Sequence, residues 1–208
     1  MFIFIYQIKT IYFDAYGYFI CFKLKYGEMH YCELDMFIYK KRGIVMAGKL
    51  ILLNGTSSSG KTTLAKEFIK QRSDYFYVGI DDFDLFIQKI EDRDNNHLIP
   101  INTDYFFNRT VKTILDQGIN VIMDSVIYTK ETIDDFTGIF KGYEVTYIKV
   151  TADPQALELR EKNRGDRNIG LALSQIELMN TYDAICQHII DTTYMTIEEA
   201  VKKITEIA

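Results

Sequence analysis

Residues Gly55 to Thr62 read G-T-S-S-S-G-K-T, which matches the spacing G-x-x-x-x-G-K-[ST]. Such a segment suits a chain of phosphates. Gly55 and Gly60 let the backbone turn, so that the N–H groups from about Ser57 to Thr62 face inward as a nest for anions at the start of a helix. Lys61 then reaches the β- and γ-phosphates, and Thr62 offers its hydroxyl to Mg²⁺. The candidate nucleotide-binding set is Gly55, Thr56, Ser57, Ser58, Ser59, Gly60, Lys61, Thr62 and Thr63, with ATP and Mg²⁺ as the expected cofactors.

Three further groups bear on the same chemistry. In "NVIMD", Asp124 follows four residues of an apolar run, a place from which a carboxylate faces the ligand crevice and holds Mg²⁺ together with Thr62. In "YVGIDDFD", Asp81 is expected at the end of a strand, with Asp82 and Asp84 behind it. A carboxylate there accepts the proton of an attacking hydroxyl. The competing reading is that these acids start the next helix, a role that suits Asp82 and Asp84 better. In "LREKNRGDRNIG", Arg160 and Arg164 lie four apart on one helical face, Gly165 breaks the helix, and Arg167 follows. Their forked guanidinium groups match phosphate oxygens. On charge alone the segment serves equally as a solvated helix with Glu158 and Glu161 as partners.

The elements that must position these groups alternate from Met46 onward. Strands are expected at Lys49–Asn54, Tyr75–Asp81, Asn120–Tyr128, Tyr143–Val150 and His188–Thr193. Between and after them lie amphipathic stretches, including 61–71, 82–90, 104–118, 130–142, 153–167, 174–186 and 196–207. Strands alternating with helices predict an α/β fold, a parallel sheet covered on both faces. Phe83, Phe86, Tyr105 and Phe106 are candidates for an acceptor pocket, although aromatics at helical spacing serve a core equally well. His97 is the one histidine in the polar loop between them.

Residues 1–45 differ. They hold nearly half of the chain's Phe and Tyr side chains, are β-prone, and offer Gly17 and Gly27 as turns, but no catalytic arrangement. "KKRGIVM" fits a purine-rich tract just before the Met46 codon, as a ribosome-binding site would be. The segment is therefore read as an N-terminal extension, either a start-site artefact or a genuine β-rich addition, with the phosphate-loop domain at 46–208. A peptide from before Met46 in the native protein, detected by mass spectrometry, would overturn the first of these.

Composition narrows the class. The chain of 208 residues carries 48% hydrophobic and 25% charged residues, as globular proteins do. A net charge of −5 argues against a general nucleic-acid binder, which needs clustered Lys and Arg. Cys21, Cys32 and Cys186 show neither a disulfide framework nor a zinc pattern, which fits reduced thiols in the cytoplasm. No apolar run reaches the roughly eighteen residues of a spanning helix, so no membrane partner is expected. No Asn/Thr-Lys-x-Asp guanine reader is present, so a GTPase is not indicated. Nothing in the sequence fixes an oligomeric state.

The order of "LILLNGTSSSGKTTL", "VGIDDF", "VIMDSV", "LREKNRGDRNIGLALSQ" and "HIIDTT" resembles the chloramphenicol phosphotransferase family of phosphate-loop kinases, from about Lys49 to the C-terminus. The resemblance implies a five-stranded parallel sheet with flanking helices and ATP with Mg²⁺ as donor. It also implies Asp81 as the base, and Arg164 and Arg167, with Arg160 matching, as lid arginines. Family members often carry paired aspartates after the third strand, where this chain has Ser125 at the second position. The acceptor region, about Phe83 to Phe107, resembles the family only in outline. The expected activity is ATP-dependent transfer of a phosphoryl group to the hydroxyl of a small molecule. The alternatives are a zeta-toxin-like kinase of nucleotide sugars and a non-catalytic, nucleotide-gated binding module.

Overall fold

The computed structural model describes residues 46–91, 103–164, 170–180 and 185–208, with three further backbone strands at 8–13, 18–23 and 37–40. The chain divides into two compact units, Met1–Val45 and Met46–Ala208. In the first unit, β1 (Ile8–Phe13), β2 (Tyr18–Lys23) and β3 (Phe37–Lys40) pair antiparallel in that order. The turn glycines expected there, Gly17 and Gly27, lie outside the described residues, as do His97 and Arg167.

The second unit runs β4 (Leu50–Asn54), α1 (Lys61–Gln71), β5 (Tyr75–Gly79), α2 (Ile80–Glu91), α3 (Thr103–Leu115), β6 (Asn120–Ser125), α4 (Lys130–Ile139), β7 (Val145–Thr151), α5 (Pro154–Arg164), α6 (Leu171–Asn180), β8 (His188–Asp191) and α7 (Ile197–Ile207). Its five strands form one parallel sheet in the order β5-β6-β4-β7-β8. Side chains on a strand alternate between faces, and here both faces are dry. Ile51 and Leu53 of β4 join Ile122, Ile148 and Val150 against Leu64, Ala65 and Phe68 of α1 and Val201 and Ile204 of α7. Leu50 and Leu52 join Val121 and Met123 against Phe107, Val111 and Leu115 of α3 and Ile133 and Phe136 of α4. Each fully buried side chain of this kind contributes about 1.5–3 kcal/mol relative to exposure. The sheet thus separates two cores, and β4 lies between β6 and β7 with an apolar layer on each side.

The strand ends that bear on the site differ from expectation at β5 and β6, and β8 stops at Asp191 rather than Thr193. β5 stops at Gly79, and Ile80 already begins α2, so Asp81 sits in the first helical turn and not at a strand end. The physical reason is that Asp81 and Asp82 both favour the positive end of a helix, while Ile80 packs with Val78 and Phe83 against the α3–α4 core. β6 likewise ends at Ser125 rather than Tyr128, which leaves Asp124 inside the strand, one residue from its end.

Helix starts fall into two kinds. α4 and α7 are closed by capping boxes, Thr129 with Thr132 and Thr196 with Glu199. α1 begins at Gly60 with φ 102°, no side-chain cap and no acid in its first turn. Its leading N–H groups therefore lack the acceptors that close the other two.

Candidate active site

The loop from Asn54 to Lys61 is fixed from beneath. Asn54 closes two hydrogen bonds with Ile127, donating from Nδ2 to the carbonyl at 2.9 Å and accepting the Ile127 N–H at 2.8 Å. The same Asn54 Oδ1 accepts the Gly55 N–H at 3.0 Å. Gly55 is required for space: a Cβ there would lie 2.1 Å from the carbonyl oxygen of Val150. Gly60 is required for its left-handed φ, and Ser58 shares that region at φ 60°, an uncommon conformation for a non-glycine residue. The left-handed Ser58 and Gly60 flank Ser59 in the alternating manner of an anion nest, while the Ser57 N–H, expected to face inward, is taken by Gln175 and the Ser59 N–H by the Thr56 carbonyl at 3.4 Å. Lys61 is buried, and its Nζ donates to the carbonyls of Gly55 and Thr56 at 2.8 Å each, arching over its own loop. The hydroxyls of Thr56, Ser58 and Ser59 are buried with no partner among the described residues.

At the sheet edge, the Asp124 carboxylate accepts a short hydrogen bond from the Thr62 hydroxyl on Oδ2 and one from Tyr77 on Oδ1 at 3.4 Å. Burial pushes the Asp124 carboxyl above the usual carboxylate range, against the pull of the Thr62 hydroxyl and Lys61, and the neighbouring Asp81 charge adds to the rise. Burial and the adjacent Asp124 push the Tyr77 phenol up, so it stays a donor. Gly79 leaves the room this pairing needs, since a Cβ there would meet the Tyr77 hydroxyl at 2.2 Å.

The arginines divide. Arg160 is anchored, donating to the Thr192 carbonyl at 2.8 Å, to the Thr192 hydroxyl at 2.9 Å and to the Ser58 carbonyl at 3.4 Å. The Thr192 hydroxyl in turn bonds the Ser59 carbonyl at 2.9 Å. Arg160 is thus a strut between α5, the end of β8 and the phosphate loop rather than part of a mobile segment. Arg164 ends α5 and is exposed. The buried Glu161 accepts the N–H groups of Gly170 at 2.9 Å and Ala172 at 2.7 Å, which joins α5 to the start of α6. Glu161→Ala strands both amides, and unfolding in urea is expected to show a loss of about 2–4 kcal/mol. A loss under 1 kcal/mol would show that the clamp carries little.

These groups share one cavity of about 510 Å³, lined by Ser57, Lys61, Thr62, Asp81, Asp124, Arg160 and Arg164 among others. Gly55, Thr56 and Ser59 support the loop without lining it. Of the aromatic candidates, Phe83 packs against Phe107 at 5.5 Å between ring centres and belongs to the core. Phe86, Tyr105 and Phe106 are exposed and do not line this cavity. Ser125 is buried.

Sequence reasoning passed over four residues that the site uses. Asn54 and Tyr77 carry no motif of their own. Gln175 and Thr192 lay within the quoted family segments, but their partners, Ser57 and Ser59, are 118 and 133 positions away.

The family profile described as chloramphenicol phosphotransferase-like protein matches residues 48–208. A Mycobacterium tuberculosis protein, an O-phosphotransferase by name only, is 30% identical over 188 residues, covering 76% of this chain and 81% of that one. Among solved structures, a sugar kinase from Janibacter sp. HTCC2649 superimposes with a TM-score of 0.54 at 16% identity, over 77% of this chain and 96% of that one. A thymidylate kinase from Candida albicans does so with a TM-score of 0.55 at 21% identity, over 77% and 91%. The two kinases share the fold with this chain.

Proposed function

The chain belongs to the chloramphenicol phosphotransferase-like family and is a phosphate-loop kinase, and from that premise we propose that it transfers the γ-phosphoryl group of ATP to the hydroxyl of a small molecule. The observation that carries the reading is the single cavity that gathers a phosphate loop, a carboxylate at a helix start and two arginines.

The residues fit the donor. The uncapped start of α1, the nest-like alternation of Ser58 and Gly60 and the buried Lys61 ammonium are the chemistry that polyphosphate takes. They also fit Mg²⁺. Among the described residues no group of three or more His, Cys, Asp or Glu side chains gathers, so a cation here relies on phosphate oxygens beside the Thr62 hydroxyl and the Asp124 carboxylate. When bound, Mg²⁺ offsets charge on the β- and γ-oxygens.

In the step itself, the acceptor oxygen forms the new O–P bond as the bond from the γ-phosphorus to the ADP oxygen breaks. Asp81 receives the acceptor proton. Lys61 and Arg164 face the charge that spreads over the moving group, and Arg160 holds the loop in place. Arg167 is assigned to the same cationic set from the sequence.

The test is a panel of alcohols with labelled ATP, including chloramphenicol and nucleotide sugars. Acceptor-dependent phosphate ester is the expected product. A nucleotide-sugar product would move the chain to the zeta-toxin-like reading. ATP binding without transfer to any member of the panel would overturn the proposal.

A further inference from the structure

Gln175 on α6 is the residue whose geometry exceeds any role given so far. Its Oε1 accepts the backbone N–H of Ser57 at 2.7 Å. An N–H can only donate, so the contact fixes which end of the amide faces the loop. The Nε2 group is thereby turned away from Ser57. Gln175 lines the cavity shared by Lys61, Asp81, Asp124 and Arg164. No described residue accepts from Nε2, and Nε2 is not among the buried polar atoms that lack a partner.

The position along the donor follows from Lys61. Its Nζ rests on the carbonyls of Gly55 and Thr56, and the Ser57 N–H that Gln175 takes belongs to the same trans peptide as the Thr56 carbonyl, so the two side chains hold that peptide from opposite sides. A lysine at this point of the motif serves the β- and γ-phosphates. Gln175 therefore grips the stretch of loop that Lys61 spans, and it shares the cavity with Asp81 and Arg164, which the proposed transfer sets around the moving phosphoryl group.

We propose that Gln175 contacts the transferring phosphoryl group, donating from Nε2 while the Ser57 N–H holds its Oε1. The assignment rests on the phosphotransferase reading above and adds a catalytic contact to it. The contact is neutral, so it supplies direction without adding to the charge that Lys61 and Arg164 already carry. It also links α6 to the loop, so that the donor and the helix that follows Arg164 are held by one side chain.

The test compares the affinities of ADP and AMPPNP, each with Mg²⁺, by calorimetry on the full chain. Gln175→Glu keeps an oxygen for Ser57 but replaces the donor with a charged acceptor. It is expected to bind ADP as the wild type does and AMPPNP at least about 30-fold more weakly. Gln175→Ala removes donor and acceptor together and is expected to weaken AMPPNP about 10-fold with ADP unchanged. Thermal midpoints equal to wild type show that both variants fold. An unchanged ratio of the two affinities, or an equal loss for both nucleotides, overturns the assignment of Gln175 alone. Failure of the wild type to bind either nucleotide overturns the phosphotransferase reading, and this contact with it.

Discussion

Lys61→Met is expected to lower kcat/KM for phosphoryl transfer by about a thousandfold or more, roughly 4 kcal/mol of transition-state stabilisation. Phosphoryl transfer leaves a protein little covalent chemistry to do, so charge and position supply most of the rate. Lys61 is 8% exposed, and its ammonium is directed by two carbonyls of its own loop. A buried charge so held needs little reorganisation when phosphate oxygens replace those carbonyls as its partners. Methionine keeps the apolar stem of lysine, and with it the α1 packing, but lacks the terminal ammonium, so the loss falls on charge. Single-turnover transfer to a confirmed acceptor measures it. A fall smaller than tenfold would show that Lys61 holds the loop rather than the transition state.

Asp81→Asn is expected to reduce kcat by about 10²- to 10⁴-fold while leaving ADP and AMPPNP affinities within a factor of three. The substitution keeps size and hydrogen bonding and removes the ability to accept a proton. Asp81 lies in the first turn of α2, so the lost charge costs only about 0.3–1 kcal/mol of helix stability. Asp81 also raises the proton affinity of Asp124, and the substitution relieves that influence. Unchanged transfer by the variant would remove Asp81 from the mechanism.

Much of this architecture is legible in the chain because the signals are local. The phosphate loop spans eight consecutive residues, and α1 spans Lys61–Gln71 as its apolar spacing indicates. The end of β5 was harder to read, because Val78, Gly79 and Ile80 continue one apolar pattern through two kinds of element. An apolar strand end and a buried first helical turn look alike when periodicity is the only guide. Arg160 shows a different difficulty. Its spacing from Arg164 gives the helical face, but its tie to Thr192 depends on where β8 ends. Gln175 and Tyr77 are of the same kind, being polar side chains whose meaning comes from folding. In the acceptor region, Phe83 was drawn into the core by Phe107, and nothing in its spacing separated it from the exposed Phe86.

The two cores on opposite faces of the sheet bear on how such a protein changes over generations. α1 and α7, beside the phosphate loop, rest on one core, whereas α3 and α4, with Ile80 and Phe83 of α2, rest on the other. Mutations that reshape the second leaf reach the first across the strands and through the Asn54–Ile127 pair. Natural selection can therefore retune the α3–α4 side as a separate module, while inheritance preserves the phosphate loop and α1 on the other.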